Sequence, residues 1–519
     1  MTPHEAAHAF LPAWTSPAAL LFWGVWSFLF ALAVTWLATL LPLVALQRRQ
    51  GAHWTERARL AHPLKQALAI SLVTPLLMAA LEVGRVAGPF SAPRIALVAA
   101  VMAGSLGGWL LAAAGTGDLL RGERSPRREW LRDGSTGVLL VRPHVLWLAL
   151  LAAFIPTRMG PAALAVLGIA ALGFALLSWQ SGLGILKLLG RVRPASDRLR
   201  AAAERAAAST GVHPAAVWEI PWSAANAFAY PWTREVAVTD GALHVLDDEE
   251  LTTIVAHELA HLAEPRRIKL ARASGLLVFL LMVAIPPVAG SWGINGLLAL
   301  LVVTWGLVLA LLAMNRRQEG KADAVARASE REAGREAASL EKLYQAQLLP
   351  VVQGVRYARS HPDLWDRMLA SGVQPSYARP KPPRFRALFF VGVFGIIGLW
   401  IFLTPQVGAA ARSLLRGEED RIAFDVGVLG RTVQGFYELS QLRLKQGNIA
   451  EGADFYRLSF ESSTRTVDSA VFLAQLEAMA GRCQDAKETL HMARSLDRTP
   501  GEDEPWWTSA TQRVISVCQ

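Results

Sequence analysis

Apolar residues in this chain come in long unbroken blocks separated by short basic segments. No Lys, Arg, Asp or Glu occurs from Ala6 to Gln47 or from Ala273 to Asn315, and further uncharged runs cover Ile95–Gly117, Met159–Leu186 and Ala387–Ala411. About 20 apolar residues make one membrane crossing, so each block can hold at least one span. The Ala273–Asn315 block can hold two, turning at the Pro- and Gly-containing stretch Pro286–Gly296. Two weaker blocks, Gln66–Gly88 and Gly137–Pro156, carry charges near one end (Glu82 and Arg85; Arg142), from where a long side chain can reach the membrane interface. The pattern predicts eight spans. The first block has no Lys or Arg before it and is too long for a signal-peptide core, so a cleavable signal is not expected.

The segments between the blocks fix an orientation. Leu46–Lys65 and Asp118–Ser135 each hold five Lys or Arg, and Lys187–Pro194, Glu264–Arg272 and Pro380–Arg386 are similarly basic. The first seventeen residues and Pro286–Gly296 have none. All basic loops fall on one side if the N-terminus faces out and eight spans follow, which makes that side cytoplasmic. The net charge of +10 then belongs to loops beside anionic lipid. It punctuates spans instead of forming one patch, so no nucleic-acid partner is expected. The 53% hydrophobic content and mean hydropathy of +0.30 agree with a membrane protein.

The expected organisation is an N-terminal membrane region of about five spans at 1–190 and a cytoplasmic domain at 191–386, interrupted by a hairpin at 273–315. The last span follows at 387–411, and an external or periplasmic tail at 412–519. In the tail, Gly447 and Gly481 stand 34 residues apart, the tetratricopeptide period. Leu473, Ala474, Ala486, Leu490 and Ala493 occupy small and apolar positions of that repeat, with Phe436, Leu439 and Tyr456 in the earlier copy. A plain helical hairpin bundle fits equally well. Either form offers a surface for a protein partner. Both cysteines, Cys483 and Cys518, lie here; they could pair in an oxidising compartment or remain buried thiols.

The chemistry concentrates in the water-facing domain. The stretch Asp247–Pro265 reads as a helix: Asp247 is a good N-cap and Glu250 completes a capping box. His257 and His261 stand at i and i+4 on one face, with Glu258 beside them. That HExxH spacing can hold a metal and place a general base against its water. Alone, the pattern fits an ordinary buried helix as well as a metal site. A catalytic zinc takes a third protein ligand, and downstream Glu319 opens an E-x-x-A-D pattern with Asp323 one turn later.

With these residues the chain resembles the membrane gluzincin metalloproteases of the HtpX and CAAX-prenyl-protease type. Two more segments match. Asn226-Ala227-Phe228-Ala229 resembles the strand before the zinc helix, and Ser360–Arg367 the Ser/Thr-His-Pro segment with an arginine six residues past its histidine. The resemblance covers about 199–370. It implies one Zn²⁺ per chain held by His257, His261 and Glu319, with Asp323 supporting a ligand imidazole. It further implies Glu258 as general base, His361 as oxyanion donor with Arg367 assisting or organising it, and Asn226–Ala229 as an edge that pairs with a substrate peptide. Gly320 and Lys321 stand where bulkier apolar residues are common, and Ala260 where Gly is usual; neither change removes a ligand.

The implied fold is mainly α: a polytopic helical membrane protein with an α+β gluzincin domain and a helical, repeat-like C-terminal domain. His261 precedes Arg272 by eleven residues and Glu319 follows Asn315 by four, so both zinc-bearing segments run into one hairpin. This places the expected cutting of membrane or misfolded proteins at the cytoplasmic face of an inner membrane. The competing function is a membrane scaffold or sensor that works through its tail, with a structural metal site.

Overall fold

The computed structural model describes residues 17–86, 92–121, 126–141, 143–152, 154–156, 158–275, 277–353, 361–383, 386–415, 417–427, 432–496 and 505–518. Of the positions named above, Ala6, Gly88, Arg142 and Ser360 lie outside the described residues. The chain divides into two units, one of residues 28–80 and 105–397, the other of 1–27, 81–104 and 398–519.

The apolar blocks form helices: α1 Pro17–Gln47, α2 Trp54–Val86, α3 Ala92–Arg121, α4 Arg127–Val141, α5 Pro143–Ala152 and α6 Pro161–Leu188. The pattern predicts eight spans. Among the described residues, four helical stretches are long and apolar enough to cross a membrane: 18–47, 95–114, 285–328 and 392–413. A fifth is added if the bent pair Pro161–Leu177 and Gly182–Leu188 counts as one. The remaining blocks of the eight-span reading fall partly on residues outside those described. The 137–156 block is shared between the end of α4 and the ten-residue α5, which at 1.5 Å per residue reaches only about 15 Å.

The larger unit holds the domain that carries the HExxH helix. After β1 Arg193–Pro194 come α7 Asp197–Thr210, β2 Ala216–Ile220, β3 Ala227–Tyr230, β4 Glu235–Thr239 and α8 Asp240–Val245. The sheet order is β1-β2-β4-β3, with β2 and β4 parallel and β3 antiparallel to β4, Ala227 facing Val238. Strand β3 is therefore an edge. Helix α9, Asp248–Leu262, begins with the expected capping box: Asp247 accepts from the Glu250 backbone and Glu250 from that of Asp247. It packs Leu251, Ile254, Val255 and Leu259 against Leu199, Ala202 and Ala206 of α7 and Leu340 and Leu343 of α13, Arg335–Ala346.

Between these pieces lie α10 Arg266–Gly275, α11 Leu277–Val283 and α12 Ile285–Ala328. An unbroken 44-residue helix would run about 66 Å, twice a bilayer core. It is broken at Gly293, whose φ of 59° and ψ of −148° are non-helical and accessible because glycine lacks a Cβ. Leu311 packs over Gly275, where an added Cβ would come within 3.4 Å of it. Gly293 stands midway between these two residues, and the block folds back on itself as a hairpin.

In the smaller unit the start of α1 packs on the end of α15, Arg386–Ser413: Trp23 stacks on Trp400 at 6.3 Å, and Trp26 Nε1 donates to Thr404 Oγ1 at 3.0 Å. After α16, Glu418–Gly427, the tail pairs α17 Thr432–Lys445 with α18 Ile449–Ser462, and α19 Val467–Met479 with α20 Cys483–Leu496, followed by α21 Pro505–Cys518. Gly447 and Gly481 occupy the same left-handed turn in the two pairs, at φ 78° and 76°. Cys483 and Cys518 are joined in a disulfide.

Candidate metal centre and active site

Two helices build the centre. The buried face of α9 presents His257 and His261, with ring centroids 4.9 Å apart, and α12 beyond the hairpin presents Glu319 and Asp323. His257 Nε2 lies 3.6 Å from Glu319 Oε2, and His261 Nε2 lies 3.6 Å from Glu319 Oε1. The three prospective ligand atoms fall within 4.8 Å of one another. Glu319 Oε2 is buried without a well-formed hydrogen bond, and the groups nearest it are imidazoles, His361 Nε2 at 3.2 Å and His257 Nε2 at 3.6 Å. Two imidazole nitrogens and a buried carboxylate around one point fit the donor set of a catalytic zinc.

The other ring nitrogens are backed by carboxylates. Asp323 Oδ1 lies 3.1 Å from His257 Nδ1, misaligned for a hydrogen bond, and Glu264 Oε1 lies 2.8 Å from His261 Nδ1. Such partners fix the tautomer that leaves Nε2 free for the metal. Behind Asp323 stands Arg367 of α14, Leu364–Ala370, donating to both carboxylate oxygens at 2.8 and 2.5 Å. Behind Glu264 stands Arg272 at 2.9 Å, also 3.8 Å from Glu319 Oε1. Each ligand histidine thus heads a carboxylate–arginine chain.

The charge states follow. Burial opposes charge on His257, but Asp323 and Glu319 outweigh it and raise the ring to about 10 without metal. Burial likewise works against the Glu319 carboxylate, yet His257, His361 and His261 hold it well below the usual range. Asp323 is also lowered, with His257 and Arg367 overcoming burial. Glu336 goes the other way, raised by burial and the neighbouring Asp323 charge.

A cavity of about 620 Å³ opens over the centre, lined among others by Glu258, His361, Arg367, Tyr344 and the strand Asn226–Ala229. Every residue singled out as ligand, base, oxyanion donor or substrate edge lines this one space, and Asp323 lies directly behind it. His361 Nε2 is 3.2 Å from Glu319 Oε2 and half exposed. Glu258 is half-buried at the cavity wall. The Asn226 side chain accepts from the Ala227 N–H at 3.0 Å, bracing the start of the edge strand. Two residues were missed by sequence reasoning. Glu264 had a signal, since it stands one turn past His261, where helical neighbours meet. Arg272 had none, because in a basic loop it read as a topology marker.

Comparison with known proteins agrees with this geometry. Residues 195–370 match the model of peptidase family M48. A protease HtpX homolog from Acidiphilium cryptum (strain JF-5) is 33% identical over 209 residues, covering 36% of this chain and 71% of the relative. The chain belongs to peptidase family M48. It is an HtpX-type membrane zinc metalloprotease, and among the described residues His257, His261 and Glu319 form a cluster that could hold a metal ion. HtpX homologs from Trichormus variabilis (strain ATCC 29413 / PCC 7937) and Nostoc sp. (strain PCC 7120 / SAG 25.82 / UTEX 2576) are 35% and 33% identical over 94 residues, each match covering 32% of the relative. The M48 match ends well before the tail, so it carries no information on 412–519.

Proposed function

We propose that the protein is a zinc endopeptidase that hydrolyses peptide bonds of membrane or misfolded proteins at the cytoplasmic membrane face. The observation that carries this reading is the shared cavity: metal donors, a glutamate and an unpaired strand edge converge on one space. A substrate strand adds along Ala227–Ala229 by backbone hydrogen bonding. His257, His261 and Glu319 would hold zinc, which when bound supplies Lewis acidity to polarise the scissile carbonyl and acidify water. Glu258 takes the proton of the attacking water and passes it to the leaving amine. His361, across the cavity, donates to the developing oxyanion. Arg367 is nearly buried and engaged by Asp323, so the role proposed for it is positioning: it holds Asp323, and through it His257.

Placement at the membrane rests on the hairpin joining the two ligand-bearing helices, and on the basic loops that flank it. An external tail is supported by the Cys483–Cys518 disulfide, a bond typical of oxidising compartments. A tetratricopeptide-like tail that binds protein is supported by the matching turns at Gly447 and Gly481. The decisive test is cleavage of a casein-like or membrane substrate by purified protein. Glu258→Gln and a zinc chelator should each abolish it. Unchanged cleavage in either case, or function that survives Glu258→Gln but not removal of 412–519, would favour the scaffold instead.

A further inference from the structure

A second cavity, of about 460 Å³, adjoins the catalytic one within the same unit. Three tryptophans, Trp109, Trp130 and Trp222, shape it together with Leu72 of α2. It is a formed site. The Trp109 indole N–H is satisfied by the Leu68 carbonyl at 2.8 Å, and Trp222 lies so close to Gly137 that an added Cβ would sit 3.0 Å from its ring. Glycine at that position lets the indole lie flat against α4.

Two observations tie this cavity to the peptidase cleft. Gln347 and Leu349 line both spaces, and the Gln347 side chain donates to the Ala225 carbonyl just ahead of β3. The two linings are also neighbours in sequence, with Trp222–Ala224 in the second cavity and Asn226–Ala229 in the first. Four residues span at most about 14 Å even when fully extended, and the chain bends at Ser223–Ala224, so Ala224 and Phe228 lie within that distance. A chain paired with β3 therefore passes the second cavity a few residues from the bond being cut.

The lining also selects an occupant. Its charged groups are the Asp133 carboxylate and one ammonium, Lys65 Nζ; the ammonium donates to the Gln347 and Leu348 carbonyls, so it is not held ready for a carboxylate or phosphate. We infer that this cavity is a distal subsite for a large apolar side chain of the substrate polypeptide, so that the enzyme reads a hydrophobic residue a few positions from the cleavage point. The inference rests on the peptidase reading and extends it to specificity. The helices that build the cavity, α2, α3 and α4, come from the N-terminal region outside the M48 match. Specificity would thus be supplied in part by elements outside the M48 match.

The test uses the full-length zinc protein in detergent and peptides sharing one cleavage sequence. One carries Leu or Phe a few residues away, one carries Ser there, and a short one ends before that position. The apolar-extended peptide should show a kcat/KM at least about tenfold above the Ser peptide, carried by KM. Ala224→Phe, which fills the cavity, should bring that ratio close to one, and the ratio within one variant cancels any general loss of activity. In Glu258→Gln protein, a photoreactive phenylalanine at the distal position should crosslink to Trp222–Ala224 or Trp109. If short peptides are cleaved but the ratio in wild type is already near one, the subsite is overturned and the peptidase reading stands. If no peptide is cleaved with zinc bound, both fall. A co-purifying lipid displaced by Ala224→Phe, with no peptide discrimination, would reassign the cavity to lipid.

Discussion

The two carboxylates behind the ligand imidazoles look equivalent, yet their removal should have different consequences. Asp323→Asn leaves Arg367, only 5% exposed, with its charge uncompensated. Stranding a buried charge in this way costs about 3–5 kcal/mol. Glu336 remains 3.9 Å from the guanidinium, so the lower end, about 3 kcal/mol, is expected. Glu264→Gln instead releases Arg272, whose side chain is 27% exposed and can turn to water, so a loss of about 1 kcal/mol is expected. Both substitutions remove the partner of a ligand imidazole and should weaken zinc binding about 10–100-fold. The assay pairs two readouts on detergent-solubilised protein: melting of the metal-free form, and zinc titration against a competing chelator. Asp323→Asn should melt well below Glu264→Gln while their zinc affinities fall together. Equal melting temperatures would refute the argument from burial, and unchanged zinc affinity in both would refute the imidazole-backing role.

Three further outcomes are expected. His361→Ala should lower kcat about 10²–10³-fold with a smaller change in KM, as for loss of one oxyanion donor; a pure KM effect would assign His361 to substrate binding. Without metal, His257 holds a proton up to about pH 10, so zinc must displace it and apparent affinity should rise about tenfold per pH unit across the neutral range. The sign for stability is the reverse: this raised group stabilises the metal-free fold fully below about pH 6.5, and the contribution is lost as pH climbs through 10. Zinc affinity that stays flat with pH would contradict both. Replacing Cys483 and Cys518 with Ser opens a loop spanning 35 residues and should destabilise the tail by about 2–4 kcal/mol, read as faster proteolysis of 412–519.

The zinc helix was legible in the sequence because its signals are local. Asp247 and Glu250 mark its start, and i, i+4 spacing puts His257 and His261 on one face whatever surrounds them. Glu319 was legible only through family resemblance, since a glutamate distant in sequence carries no sign of which histidines it will meet. Glu264 was visible as a neighbour of His261 but not as a partner, because that depends on which ring nitrogen faces inward. The edge position of β3 depends on strand order, which alternation of residues does not encode. Four or five spanning stretches are seen among the described residues, and hydropathy, which measures apolar length, is blind to breaks such as that between α4 and α5. The disulfide needed α21 to fold back beside α20, a matter of tertiary packing that cysteine spacing leaves open.

The position of Arg272 gives the hairpin a consequence for the metal site. It sits in α10, at the point where the chain leaves His261 for the hairpin, and it touches Glu264 while lying 3.4 Å from His261 Nδ1 and 3.8 Å from Glu319 Oε1. One guanidinium therefore spans the two strands of chain that enter and leave the hairpin. Leu311 over Gly275 closes the same pair of segments further along. These contacts hold the base of the hairpin where His261 and Glu319 approach each other, so hairpin packing and the spacing of the candidate ligands share one geometry. Linkage is reciprocal: zinc held between His261 and Glu319 would tighten the base of the hairpin, and whatever splays the hairpin would loosen the metal. The centre is in this sense set by the hairpin as much as by the HExxH helix.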